Sequence, residues 1–230
     1  AGLWMISGAP ENFARSNGGA IVNIVLLASA EGAIIIDTGS TARMGAEIRA
    51  FADQRLGGVA RVINTHHHPD HWFGNIAFAD RPILALPATG DLCRRSAPDY
   101  AASLYALLGP WMAGTTPTPP DQRIETDTLQ IGGRTLRLLA LSGHSAADLV
   151  VQDVQTGVLE VCNALEMATI NAALARTGLA SGARALDIGC GNGEYTVIVA
   201  EQAGRVLAFD ISENLLASAR KRCEALGNVS

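Results

Sequence analysis

The chain has 230 residues, of which 48% are hydrophobic and 17% charged; it is long enough for one good-sized core or two small ones and too apolar for a disordered chain. Its net charge of −5 and its single lysine, Lys221, argue against a nucleic-acid partner, because no basic face is left to neutralise phosphates. No apolar run reaches the roughly 18 residues that span a bilayer, which argues against a membrane partner, and Cys93, Cys162, Cys190 and Cys223 lack the paired spacing of a disulfide framework.

In chain order, the β-rich runs Ile21 to Leu27 and Gly32 to Ile36, joined at Ser29, Ala30 and Glu31, predict a hairpin. Apolar residues at Met44, Ile48, Phe51 and Ala52 recur at helical spacing until Gly57 and Gly58 end them. A short strand follows over Arg61 to Asn64. Between 80 and 122 the pattern predicts a strand (Ile83 to Leu86), a helix over Pro98 to Leu108, and a proline-rich loop, Thr115 to Pro120, the whole stretch reading as a lid or wall. Strands return at Thr135 to Leu141, Asp148 to Gln152 and Val158 to Val161, the last two joined by a turn at Gln155, Thr156 and Gly157, as in a meander.

From about residue 163 the texture changes. Helix (Ala164 to Arg176), strand (Arg184 to Ile188), helix (Glu194 to Gln202), strand (Arg205 to Asp210) and helix (Glu213 to Leu226) alternate in the βαβ manner of a parallel sheet. The chain therefore reads as two parts, residues 1–162 and 163–230.

Four of the five histidines fall within six residues, at His66, His67, His68 and His71, and the fifth is His144. In an extended backbone residues i and i+2 point the same way, so His66 and His68 can grip one ion together while His67 points elsewhere. Neutral imidazole suits zinc, and a catalytic zinc takes three protein ligands and keeps a fourth position for water, so His144 completes a three-histidine site. Zinc lowers the pKa of that water to about 7, which makes it a nucleophile at neutral pH. Asp70 and His71 lie on the next turn, where they either hold a second metal or, for Asp70, orient the nucleophilic water.

The pattern His66-x-His68-x-Asp70-His71 after a strand, followed by Gly143, His144 and Ser145, resembles the metallo-β-lactamase superfamily, as does the strand end Ile35, Ile36, Asp37, Thr38, Gly39. Gly2 to Met5, Ser16 to Gly19, Asn64 to Asn75 and Leu107 to Met112 are similar to the quinoprotein relay system zinc metallohydrolases in particular. The resemblance covers residues 1–161 and implies an α/β protein with an αββα sandwich, zinc as cofactor, hydrolysis of a small-molecule substrate and a periplasmic location. The sequence departs from the family where a metal-bridging aspartate is expected. Asn163 stands there, with Cys162 beside it, and no histidine follows His144. The resemblance thus implies an incomplete sandwich with one zinc, and a second only in an incomplete site.

Leu186 to Gly193 follows a predicted strand and opens a helix. Its glycines permit a tight turn and close approach of a ligand to the backbone, and Asp210 ends the next strand where ribose hydroxyls are bound. These residues resemble the first motif of the class I S-adenosylmethionine-dependent methyltransferases. The resemblance implies a partial Rossmann-like βαβα unit over 163–230, S-adenosylmethionine as cofactor, contacts from Asp187, Gly189, Gly191, Gly193 and Asp210, and a cytoplasmic location; it ends before the strands that supply the acceptor site. The alternative to a pure loop-turn role for these glycines is therefore a methyltransferase fragment, and a hybrid without catalysis is the third reading. The order helix then strand over 164–188 also matches the superfamily's missing end. It predicts that the strand 184–188 pairs with the Asp148–Val161 meander, bringing Asp187 or Cys190 near the place of the lost histidine.

Overall fold

A computed structural model describes residues 2–9, 11–142, 144–157, 159–160, 182, 184–188, 192–209 and 213–230. The protein is mixed α/β and divides into two compact units. The first comprises Ala1–Thr126, Gln130–Gly133 and Ser145–Leu149; the second comprises Asp127–Leu129, Arg134–His144 and Val150–Ser230.

The first unit is organised by a six-stranded sheet in the order β1 (Leu3–Ile6), β2 (Ile24–Ser29), β3 (Gly32–Ile36), β4 (Val59–Ile63), β5 (Ile83–Ala85), β6 (Gln122–Arg123). The predicted hairpin is present as the antiparallel pair β2 and β3, with Leu26 opposite Ile35; β3 to β6 then run parallel. All five residues of β3 are buried, which is why this strand reads as an unbroken apolar run rather than an alternation. Ile24, Leu26, Ala33 and Ile35 pack against Ile48 and Ala52 of helix α1 (Ala42–Arg55) and against Phe78. Helix α1 starts where Thr41 caps the Met44 N–H at 3.2 Å and ends before Gly57, whose φ of 76° no β-carbon tolerates comfortably.

Helix α2 (Pro69–Trp72) and a 3₁₀ turn over Phe73–Phe78 follow β4, and helix α3 runs over Pro87–Leu108. Helix α3 begins eleven residues before the expected start at Pro98. Both prolines are good first-turn residues, but Pro87 occupies the first turn and Pro98 is carried inside the helix, a cost the packing of Cys93, Leu104 and Leu108 against Trp72 and Phe73 offsets. Burial pushes the Cys93 thiol up to about 12.

Helix α1 and the 3₁₀ turn meet through glycines. A β-carbon on Gly45 would lie 2.2 Å from the Gly74 carbonyl oxygen, and one on Gly74 2.1 Å from that of Thr38.

In the second unit β8 (Arg134–Leu141) and β10 (Leu159–Glu160) flank β9 (Asp148–Asp153), whose first two residues belong to the first unit, as do the last two of β7 (Thr128–Ile131) at the sheet's edge. The Arg134 guanidinium donates to buried Asp153 at 2.6 Å. Strands β11 (Arg184–Ile188) and β12 (Arg205–Phe209) form a parallel pair joined by helix α4 (Glu194–Gln202), and helix α5 (Glu213–Cys223) follows. This is the expected βαβα unit. The expected pairing of 184–188 with the meander is not found: among the described residues β11 bonds with β12, and it lies beside β10 without joining its sheet. The nearby parallel partner, reached through a single helix, wins over the distant edge. The predicted helix Ala164 to Arg176 lies outside the described residues. Among those described, no helix is long and apolar enough to cross a membrane.

Two outcomes follow from this packing. Gly74→Ala is expected to cost about 3 kcal/mol of stability by urea denaturation, whereas Gly57→Ala, which meets open space and bears only the φ penalty, is expected to cost about 1 kcal/mol. Cys93 is expected to stay unalkylated by iodoacetamide at pH 8 in the folded protein and to react in guanidinium, read by peptide mass mapping; its thiolate forms in the fold only as pH approaches 12.

Candidate metal centre

Asp37, the residue at which β3 ends, has a φ of 64°, a left-handed conformation rare for a residue with a β-carbon. Three hydrogen bonds hold its buried carboxylate there. The Thr65 N–H donates to Oδ1 at 2.8 Å, the Thr65 hydroxyl to Oδ2 at 2.7 Å, and His71 Nδ1 to Oδ2 at 2.6 Å. Asp37 also donates its own N–H to Ile63 at 2.9 Å. One carboxylate thereby fixes both the start and the end of the loop that carries the histidines.

Thr65 passes that order to His66. Its hydroxyl proton is committed to Asp37, so at 3.1 Å from His66 Nδ1 its oxygen accepts from the ring, which turns the Nε2 lone pair of His66 toward His68. His66 Nε2 and His68 Nδ1 are 3.0 Å apart. His68 is extended and Pro69 opens α2 behind it, while Trp72 donates its indole N–H to the His67 carbonyl at 2.8 Å and so pins the middle of the run. His144 is set by its neighbour: Ser145 donates its N–H and hydroxyl to the Asp148 carboxylate at 2.9 and 2.6 Å, and Leu149 donates to the Thr65 carbonyl at 2.9 Å.

His66, His68 and His144 each offer one ring nitrogen, and these atoms all lie within 4.8 Å of one another; no other group of three or more such donors occurs among the described residues. Two nitrogens bound at about 2.05 Å to one tetrahedral zinc stand about 3.4 Å apart, close to the spacing of His66 and His68. The donor set fits a metal ion. His71 and Asp70 lie beside it, with His71 Nε2 3.5 Å from Asp70 Oδ2; the rings of His66 and His71 have centroids 4.0 Å apart.

Around this cluster lies a network of buried amides. Asn75 donates to Asn64 at 2.8 Å and to the Thr118 carbonyl at 3.0 Å, tying the proline-rich loop to the histidine loop, and the Thr38 N–H donates to the His71 carbonyl at 2.8 Å. The sequence marked Asn64 to Asn75 and Asp37 only through resemblance; that Asp37 and Thr65 orient the rings depends on contacts between separate strand ends, which no local pattern displays.

In the glycine loop, Gly193 caps α4 at a φ of 80°, and the Asp187 carboxylate accepts the Thr196 hydroxyl at 2.5 Å. Gly189, Gly191 and Asp210 lie outside the described residues, as do Cys162, Asn163 and Cys190.

Asp37→Ala removes the acceptor of three buried donors and is expected to lower stability by about 3 kcal/mol in urea denaturation. Asp37→Asn, which keeps one acceptor oxygen and tolerates the left-handed backbone, is expected to lose no more than about half of that.

A family model described as the metallo-beta-lactamase superfamily matches residues 17–166, and one described as a methyltransferase domain matches residues 185–230. The chain matches no curated protein sequence. Among solved structures it is similar to a beta-lactamase domain protein from Burkholderia ambifaria, at 17% identity and a TM-score of 0.52, over 97% of this chain and 71% of that one; this likeness is one of fold. It is also similar to metallo-beta-lactamases from Pontibacter korlensis (22% identity, TM-score 0.48, 67% of this chain and 72% of that one) and Hirschia baltica (20%, 0.45, 60% and 57%). The chain spans 57% of the length of the Hirschia baltica protein. The stretch 17–166 takes in Asp37, the histidine loop and His144, and on that match the chain belongs to the metallo-beta-lactamase superfamily.

Proposed function

We propose that the protein is a zinc-dependent hydrolase of a small-molecule substrate, with one zinc held by His66, His68 and His144. The observation that carries this reading is the convergence of those three ring nitrogens within 4.8 Å. Bound zinc supplies Lewis acidity, which polarises a carbonyl or phosphoryl group and makes water a nucleophile near neutral pH.

The chain's own residues then have distinct tasks. Asp37, through Thr65, holds His66 in the tautomer that presents Nε2. Asp70, only partly exposed and 3.5 Å from His71 Nε2, orients the attacking water and accepts its proton on a carboxylate oxygen. His71, whose Nδ1–H donates to Asp37, keeps its Nε2 turned toward Asp70 at 3.5 Å. A second ion, if taken up, would use Asp70 and His71.

The methyltransferase-domain match over 185–230 favours a second reading, in which Asp187, Gly189, Gly191, Gly193 and Asp210 bind S-adenosylmethionine. Of these, the described residues are Asp187, already engaged by Thr196, and Gly193; no reaction step is derived from them.

Elemental analysis of tag-free protein is expected to find about one zinc per chain, lost in His68→Ala and in His144→Ala and retained in His67→Ala. Zinc-restored hydrolysis of a panel of esters, thioesters and lactams is expected to follow the metal, falling at least about 100-fold in His68→Ala. Folded wild-type protein without zinc would overturn the reading.

A further inference from the structure

Helix α3 lays Cys93, Leu104 and Leu108 against Trp72 and Phe73, and Tyr100 packs at the margin of that cluster. Its ring continues a row begun by the ligand histidines. The Tyr100 and His67 centroids are 6.0 Å apart with planes inclined by 34°, and those of His67 and His68 are 4.8 Å apart. The ring is partly buried, and its hydroxyl makes no hydrogen bond to any described residue. A core position needs only the ring, and a partly buried phenol ordinarily finds a partner for its O–H.

We propose that Tyr100 is a substrate-contacting residue, its hydroxyl donating a hydrogen bond to a neutral carbonyl oxygen of the molecule held at the His66, His68 and His144 centre. The inference rests on the hydrolase reading and extends it to the substrate's chemistry. Burial raises the phenol's pKa, and the charges of Cys93 and Asp70 raise it further, so the group stays a neutral donor at the pH at which the protein works. The same Asp70 carboxylate disfavours an anionic group beside it, which selects an ester or amide oxygen over a carboxylate as the acceptor. With no charge on either partner the bond is of the modest kind, worth a several-fold change in affinity.

The test uses the zinc-loaded 230-residue chain and three thiols whose sulfur binds zinc: 3-mercapto-N,N-dimethylpropanamide, which carries an acceptor carbonyl; 4-methylpentane-1-thiol, its apolar isostere; and 3-mercaptopropionate. Dissociation constants are measured by titration calorimetry on wild type and Tyr100→Phe, with zinc content determined on the same samples. Tyr100→Phe keeps the ring and is expected to retain zinc, to bind the amide about five- to ten-fold more weakly than wild type, and to bind the isostere equally; the wild type is expected to prefer the amide to the carboxylate. Equal affinities of both proteins for the amide, with zinc and thiol binding intact, would overturn the assignment while leaving the hydrolase reading standing. A parallel loss for amide and isostere would also overturn it, because it would show a packing role for Tyr100. Absence of zinc from the wild type would remove the hydrolase reading and this inference together.

Discussion

The Asp37 carboxylate, set in a left-handed backbone at the end of β3, receives the N–H and hydroxyl of Thr65 and the ring N–H of His71. Everything the centre does depends on that convergence. The loop from Thr65 to His71 has no regular structure of its own until Pro69 opens a single turn of helix, so its shape is imposed from outside, by one buried acceptor and by the Trp72 indole under His67. A carboxylate suits the task because it accepts several donors at once while buried, and because a charged acceptor strengthens each bond. The strained φ is stable because those bonds outweigh it. Zinc sites owe their affinity as much to such outer contacts as to the ligands themselves.

How much of this was legible in the sequence depended on how far each signal had to reach. His66 and His68 could be paired with one another from their spacing alone, since alternate residues of an extended chain share a side, and His144 followed because it was the one histidine left. The hairpin of β2 and β3 and helix α1 were equally plain, the one carried by two β-rich apolar runs and the other by a helical period. The start of α3 was not, because Pro87 and Pro98 both carry a first-turn signal and only the packing of Cys93 on Trp72 and Phe73 shows which one the helix uses. The short strands β1 and β7 were missed for want of length: four residues show too little alternation to separate strand from coil. The tasks of Thr65 and Tyr100 were hidden for another reason: each is defined by what stands across from it in space.

The C-terminal segment shows the same contrast. Its alternation of strand and helix was readable, and the parallel pair β11 and β12 bears it out. What the alternation did not disclose was the choice of partner. A strand with a parallel neighbour one helix away satisfies its backbone groups locally, and the orphaned edge of the β8 to β10 meander offered no shorter route. Among the described residues the C-terminal resemblance is thus expressed as its own two-stranded sheet rather than as part of a merged one.

The bond from the Leu149 N–H to the Thr65 carbonyl acts as a ruler. Thr65 immediately precedes His66, and five residues lead from His144 to Leu149, so the bond ties the chain just after one histidine of the cluster to the residue just before another. Because backbone groups make the bond, the residues between are constrained chiefly in number: beyond Ser145 and Asp148, which brace the turn, a change of side chain leaves the measure intact, whereas an added or missing residue changes the chain length to His144 by about 3.8 Å, a step comparable to the 4.8 Å within which the three ring nitrogens lie. Change that keeps the three histidines together is therefore free in composition here and frozen in length.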